Sequence, residues 1–430
     1  MAQTLPGDSP IDVAIIGGGA AGLLAGIAAG RSGAKTVVLE RNAQPGRKIA
    51  IAGGGRCNFT NTHKPREFIR AFDDPNAKNL GHALRAFPNT QLVELLERHG
   101  VQSVLEQDYR LYTASGRGRD VTEALVSELQ ASGAELLLDS TIQRTHATPE
   151  DKARFLLSGT FAGRVGQRAA RSVVICTGGL SYPDTGSTGD GLKWASALGH
   201  ATTETRPGLV GLHVDEDWPK ELRGVSCADV RVRLRKAGGL GKPIAEAQAD
   251  LLFAHFGVSG PAVMDLSLAF VRSKLDRAQL DLDFFPRQNV EALDRKLVKV
   301  LQAHPQRSVA DAIADLPGRL RSALVETLGK DGQCNAGQFS RDARCKLVRA
   351  LKSTRLTITG TREIQHGEVT VGGVAWEGIH PATLESRHVP GLYFAGEVLD
   401  IAGHCGGFNL QAAFSTGYLA GCSAAESLAD

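Results

Sequence analysis

The sequence predicts an α/β protein of more than one domain, on three observations. A glycine-rich turn joins a buried strand to a small-residue helix at residues 11 to 32, strand-like and helix-like stretches alternate up to about residue 200, and a second glycine-rich turn opens a helix after residue 403. The length of 430 residues exceeds one ordinary core. With 42% hydrophobic and 22% charged residues the chain has ordinary globular composition, which excludes a disordered or fibrous protein. Fifty glycines against 5% aromatic residues mean many tight turns and close backbone approaches.

Residues 11 to 16 (IDVAII) read as a short buried strand. Gly17, Gly19 and Gly22 follow, then an Ala/Leu-rich helix to about Ser32, so the GxGxxG pattern lies in its confirming context. The three glycines serve a tight turn, close approach of a pyrophosphate, and close packing of helix on strand. Gly17, Gly19, Ala20, Ala21 and Gly22 are therefore candidate cofactor contacts. A second strand from Lys35 to Leu39 ends in Glu40, where a carboxylate can accept hydrogen bonds from adenosine-ribose hydroxyls, with Arg41 beside it. This is a dinucleotide fingerprint of Rossmann type, and alone it leaves NAD and FAD open.

The polar run Gly53-Gly54-Gly55-Arg56-Cys57-Asn58-Phe59-Thr60-Asn61 comes next, preceded by Lys48. Its glycines let backbone N–H groups reach a ligand, and Arg56, Asn58 and Asn61 offer further donors. Val121 to Gln130 reads as a helix, Glu135 to Leu138 as a strand, and 141 to 174 as hairpin-like strands ending at Thr177-Gly178-Gly179. That order favours FAD over a dehydrogenase's NAD. A further glycine loop, 186 to 191, precedes a helix whose N-terminus suits an anion. Near the C-terminus a strand ends in Gly396-Glu397, and the loop 403 to 408 opens an Ala/Gly-rich helix at Asn409-Leu410-Gln411. Unpaired N–H groups there would stabilise the anionic reduced ring of a flavin.

Together, GGGRCNFTN at 53 to 61, TGGLSYPDTGSTGDG at 177 to 191, LLFAHFGVSGPAV at 251 to 263, VTVGGV at 369 to 374 and the stretch 391 to 421 resemble the bacterial BaiN-like NAD(P)/FAD-dependent oxidoreductases, of the two-dinucleotide-fingerprint flavoprotein type, nearly end to end. The resemblance implies FAD in a Rossmann-like domain made from 1–200 and 356–430. It implies an inserted β-barrel at 201–265 and 330–355, and a small helical subdomain at 266–329. It places Glu40 at the adenosine ribose, and Lys48 with Gly54, Gly55 and the rest of that loop over the pyrophosphate and ring. Gly396 and Glu397 fall at the ribityl chain, and Asn409, Leu410 and Gln411 at the flavin's pyrimidine edge. The implied chemistry is reduction of a carbon–carbon double bond, of a steroid-type enone or of uridine in ribosomal RNA. Two departures bear on the substrate: Tyr109-Arg110-Leu111-Tyr112-Thr113 stands for the family's Gly-Arg-Val-Phe-Pro, and Cys405 and Phe408 replace a small polar residue and a tyrosine.

Reduction through flavin N5 needs an electron-poor carbon and a proton donor for its neighbour. Cys57 and Cys405 sit in loops expected near the ring, His255 precedes a turn into a helix, and Arg56 suits an anion or a carbonyl. His404 either faces the flavin or solvent, and Cys176 reads as core. A single fingerprint points to NAD(P)H as a transient donor. No catalytic triad or metal pattern is evident.

Residues 201 to 355 carry 25 basic and 19 acidic side chains, or +6, within a net charge of +3. Arg231, Arg233 and Arg235 share one face of a half-buried strand, as solvated charges or as a phosphate-tracking surface. The expected partner is thus a small-molecule substrate or ribosomal RNA, with no membrane and no obligate protein partner. An FAD-stabilised binding or assembly protein without turnover is the alternative from another class. Seven cysteines without a CxxC pair, and no signal or membrane-spanning segment, predict a cytoplasmic protein.

Overall fold

The computed structural model describes residues 10–106, 109–147, 154–239 and 241–428. It divides into two units, 1–206 with 369–430, and 207–368. In the first, β1 (Ile11–Ile16), α1 (Ala20–Arg31) and β2 (Thr36–Leu39) form the predicted strand–helix–strand unit. α2 (Arg47–Ile51) follows, and then β3 (Asn58–Asn61), β4 (Ser103–Glu106) and β5 (Arg110–Thr113) make a small antiparallel sheet in the order β3-β5-β4. The main sheet continues with β6 (Glu135–Leu137), β7 (Thr141–Ala147), β8 (Phe155–Phe161) and β9 (Arg164–Ile175).

Its order is β6-β2-β1-β9-β8-β7, with Leu392–Phe394 added beside β9. The long β9 does two jobs. Its first half pairs antiparallel with β8, and its second half runs parallel to β1 on one edge and to Leu392–Phe394 on the other. That second half, Val173 to Ile175, is fully buried, as a strand flanked on both edges and both faces must be. A chain end from residue 392 onward is thereby stitched into the N-terminal sheet.

The C-terminal helix, Phe408–Glu426, lies against α1 at backbone distance. A Cβ on Gly417 would stand 2.0 Å from the Ala21 carbonyl oxygen, and one on Gly421 2.2 Å from that of Ala25. Matched four-residue steps in the same direction make the two helices parallel. Gly417 lies nine residues after the C-terminal helix begins and its neighbour Ala21 one residue after α1 begins, so the N-terminus of the C-terminal helix extends past that of α1 by eight residues, about 12 Å at 1.5 Å per residue.

The second unit is a closed six-stranded antiparallel barrel, Leu212–Val214, Gly257–Ser259, Ala245–Ala254, Ser226–Lys236, Ala278–Asp283 and Thr354–Thr361 in spatial order. Val230, Val232 and Leu234 are fully buried, as their period of two predicts. The helices Val290–Ala303, Gly318–Glu326 and Arg341–Lys352 lie between the last two barrel strands. This corrects the predicted division. Ala278–Asp283 was expected among helices and Thr354–Thr361 mostly in the nucleotide domain, yet the two pair with each other, Leu280 opposite Leu356. Arg341–Lys352, expected in the barrel, is a helix. Such long-range pairing leaves no local mark in either strand.

Candidate functional site

The fingerprint glycines differ in what they do. A Cβ at Gly17 would lie 2.5 Å from the Cys176 carbonyl oxygen, and one at Gly22 1.7 Å from that of Gly17, so both are demanded by packing. A Cβ at Gly19 meets nothing within 4 Å. Gly19 caps α1 without a side-chain hydrogen bond, and the first turn carries no acidic residue. The N-terminus of α1 therefore presents unpaired N–H groups of Ala20, Ala21 and Gly22 to an open cradle, the arrangement a diphosphate requires. Beside it the Thr177 hydroxyl is buried without a partner among the described residues. Burial pushes the Cys176 thiol up, as expected of core.

Glu40 is buried and holds the turn: Oε2 accepts from the Gly18 N–H at 2.7 Å, and Oε1 from the Asn42 N–H at 2.8 Å. Arg41 reaches the later glycine loop, donating to Thr188 Oγ1 and Asp190 Oδ2 at 2.7 Å each. Lys48 donates to Glu397 Oε2 at 2.6 Å and Ser181 Oγ at 2.5 Å, while Ser181 Oγ and the Thr370 N–H donate to Glu397 Oε1. Lys48, Gly179 and Glu397, which the sequence named separately, thus come together beside Gly396, with Ser181 and Thr370 as members that the sequence did not reveal. A Cβ on Gly179 would strike the Thr370 hydroxyl, one on Gly178 the Ser187 hydroxyl, and one on Gly396 the Ala21 methyl.

At the other end, Gly407 (φ +77) caps the C-terminal helix, again with no side-chain cap and no acid in the first turn. The side chain of Asn409 bonds the Gly403 N–H and carbonyl and so shapes the loop. Gln411 is a correction. Its N–H already donates to the Gly407 carbonyl, and its buried side chain bonds Thr60, Ser415 and the Phe87 carbonyl. A helix leaves its first turn unpaired, which gives Phe408, Asn409 and Leu410 that role instead. Two uncapped, parallel helix ends staggered by about 12 Å along their axes suit a flavin dinucleotide, whose diphosphate one end would take and whose ring edge the other.

The proposed chemical groups fare differently. Cys57 is fully buried, so it does not reach a substrate, and desolvation pushes its thiol up to about 12. Its φ of +54 and the close approach of Gly118 mark it as a packing residue. Arg56 is tied to Glu106 and lies over the Tyr112 ring at 4.7 Å, so it is not a cation waiting for an anion. The Asn58 side chain is spent on the Thr60 and Leu111 carbonyls. Gly54 and Gly55, at φ +68 and +88, have open surroundings. Cys405 is half-buried in the loop before the last helix, near the Arg110 charge, and the His404 N–H is bonded to the Ala71 carbonyl. His255 belongs to the second unit, edge-on to Phe256.

Sequence reasoning missed an aromatic wall at this helix end. The His63 ring lies 4.8 Å from Tyr109 and is stacked at 5.7 Å on Phe408, which also meets Phe68 at 5.0 Å. Only the unusual Tyr109 and Phe408 hinted at it.

The model for the HI0933-like protein Rossmann domain matches residues 11–423. The chain belongs to the HI0933-like family. With membership come FAD and oxidoreductase chemistry, which the two helix ends accommodate. The chain is 31% identical over 421 residues to the 3-dehydro-bile acid delta(4,6)-reductase of Clostridium scindens, covering 96% of this chain and 99% of that protein. It is 30% identical over 411 residues to the ribosomal RNA dihydrouridine synthase of Escherichia coli, covering 95% and 96%. The 3-ketosteroid-delta4-(5alpha)-dehydrogenase of Rhodococcus jostii superposes at a TM-score of 0.53 with 17% identity, covering 99% of this chain and all of that one. A flavocytochrome c3 fumarate reductase superposes at 0.52, also with 17% identity, covering 99% and 80%. These structures share the fold of this HI0933-like chain. No described helix is long and apolar enough to cross a membrane, and no described group of three or more His, Cys, Asp or Glu side chains could hold a metal.

Proposed function

We propose that this chain is an FAD-dependent reductase of a carbon–carbon double bond activated by a conjugated carbonyl, with reduced nicotinamide as visiting electron donor. One observation carries the reading: two relatives, each about 30% identical along nearly the whole chain, bear names that describe saturation of a ring double bond, in a bile acid and in uridine. Bound FAD would supply hydride to the electron-poor carbon. The protein's part is to seat the diphosphate on α1, to hold Lys48 through Glu397 and Ser181, and to aim the Phe408, Asn409 and Leu410 N–H groups at the ring edge.

Among these substrates we favour a small enone. The barrel's arginine row, which a phosphate-tracking surface would use, is already engaged: Arg233 with Glu246 at 2.6 Å, Arg235 with Asp281 at 3.1 Å, and Arg231 with Gln248 at 2.9 Å. Uridine reduction in ribosomal RNA is the second reading, supported by the Escherichia coli relative. We place the reaction in the cytoplasm, where reduced nicotinamide is supplied and where seven unpaired cysteines persist.

The test is anaerobic mixing of the FAD-loaded protein with NADH or NADPH, then with a steroid enone or with ribosomal RNA lacking dihydrouridine. Flavin bleaching by a nicotinamide and reoxidation by the enone, with a product two mass units heavier, is the expected result. Reoxidation by RNA alone, with dihydrouridine formed, would move the assignment to the second reading. A flavin inert to both would leave a binding or assembly protein.

A further inference from the structure

We propose that Arg110 is the residue that holds the substrate's carbonyl oxygen, with the Tyr109 hydroxyl beside it. The inference rests on the double-bond reduction proposed above and names the group that recognises its substrate. In the first unit, Arg41, Lys48 and Arg56 each have a carboxylate partner, Asp190, Glu397 and Glu106. Arg110 has none among the described residues. Its guanidinium carbon lies 5.6 Å from the centre of the Tyr109 ring, with Tyr112 and Cys405 close by, and among the described residues its Nε is buried without a hydrogen-bond partner. Holding a guanidinium half out of water without a carboxylate is unfavourable unless an anion or a strong acceptor completes the site.

The position is set by the small sheet. Arg110 on β5 pairs with Asn61 on β3, and Asn61 Nδ2 donates at 2.9 Å to the Gly406 carbonyl, in the loop that enters the C-terminal helix. Tyr109 reaches the same loop: a Cβ on Gly406 would stand 3.0 Å from its ring and 3.4 Å from its hydroxyl. A cation and a phenol therefore stand beside the loop that opens the C-terminal helix, flanked by the rings of His63 and Phe408, and a substrate ring laid over a flavin at that helix end would meet them with its carbonyl.

In the reaction this placement matters at one moment. Bound reduced FAD would supply hydride, two electrons and a proton, to the β-carbon. The π pair of the double bond shifts toward the α-carbon and the carbonyl, whose oxygen gains negative charge. Protonation at the α-carbon from solvent or a nearby acid restores the carbonyl. Arg110, charged at any working pH, stabilises that oxygen without taking part in the proton transfer, and it does so more in the transition state than in the ground state.

The probe is 4-nitrophenolate, whose oxygen stands in for the enolate, titrated into the FAD-loaded protein and followed by its own absorbance and by a long-wavelength band against the flavin. Wild type is expected to bind it. Arg110→Met should weaken binding at least about tenfold and Arg110→Lys less, with flavin content read at the same time. If Arg110→Met fails to retain FAD, the Arg110→Lys variant carries the test. Undiminished binding in the Arg110 variants overturns the proposal, as does absence of binding by wild type or loss in Arg56→Met instead. Phenolate binding that depends on Arg110, in a protein that reduces neither enone nor uridine, would keep Arg110 as the oxyanion site and discard the reduction reading.

Discussion

The two glycine runs near the N-terminus look alike as text and differ in physics. In the turn at 17 to 22, Gly17 and Gly22 are required because backbone atoms already occupy the place of a side chain, 2.5 and 1.7 Å away. In the run at 53 to 55, φ angles of +58, +68 and +88 call for glycine, while Gly54 and Gly55 have open surroundings. The first run is glycine for space, and at Gly17 (φ +107) for conformation as well; the second is glycine for conformation alone. Gly19 is a third case, with ordinary φ and empty space, so that only a bound diphosphate would make a side chain there costly.

Substitutions separate the three. Gly22→Ala should have the largest effect, since no relaxation short of parting α1 from the β1 turn makes room for the methyl; loss of soluble, FAD-containing protein is expected, and a normal melting curve would refute the packing account. The next effect concerns Gly378, whose Cβ would stand 2.8 Å from His200 Nδ1, a glycine whose space is filled by an imidazole. Burial first, and the His388 charge second, hold buried His200 down at about 4, so it is neutral in the fold. Its contribution is complete above the unfolded value near 6.5 and is lost as pH falls toward about 4, up to roughly 3 kcal/mol. Denaturation at pH 7 and pH 4.5 should show a smaller pH difference in His200→Gln than in wild type.

Gly19→Ala should leave the melting temperature of the flavin-free protein unchanged yet weaken FAD by about tenfold or more, about 1.4 kcal/mol, measured by flavin fluorescence. Equal FAD affinity would show that the cradle does not hold the diphosphate. Gly54→Ala is the smallest change: a Cβ at φ +68 costs about 1 kcal/mol of stability, with FAD retained. A loss as severe as that of Gly22→Ala would mean the loop is packed by something beyond its own backbone angles.

The first unit was legible wherever chemistry is local. Strand, glycines, helix, strand and Glu40 occupy one short stretch, and turn residues must follow from backbone geometry. The barrel was legible only in part. Alternation marks the strand around Arg231, but nothing in residues 354 to 361 announces a partner at 278 to 283, because pairing is chosen by what else needs a neighbour. The candidate site shows the same limit. Lys48 and Glu397 were named separately, and their contact lies 349 residues apart in the chain.

The sequence by itself determined the dinucleotide turn, the buried strands and the loop that opens the last helix, since each depends on steric and hydrogen-bonding rules acting over a few residues. Tertiary structure decided which groups are available. It sealed Cys57 in the core, gave Arg56 to Glu106, and left Arg110 beside two phenols with no carboxylate among the described residues. Availability is a property of what lies across the sheet or behind the loop, and the spacing of residues along a chain does not contain it.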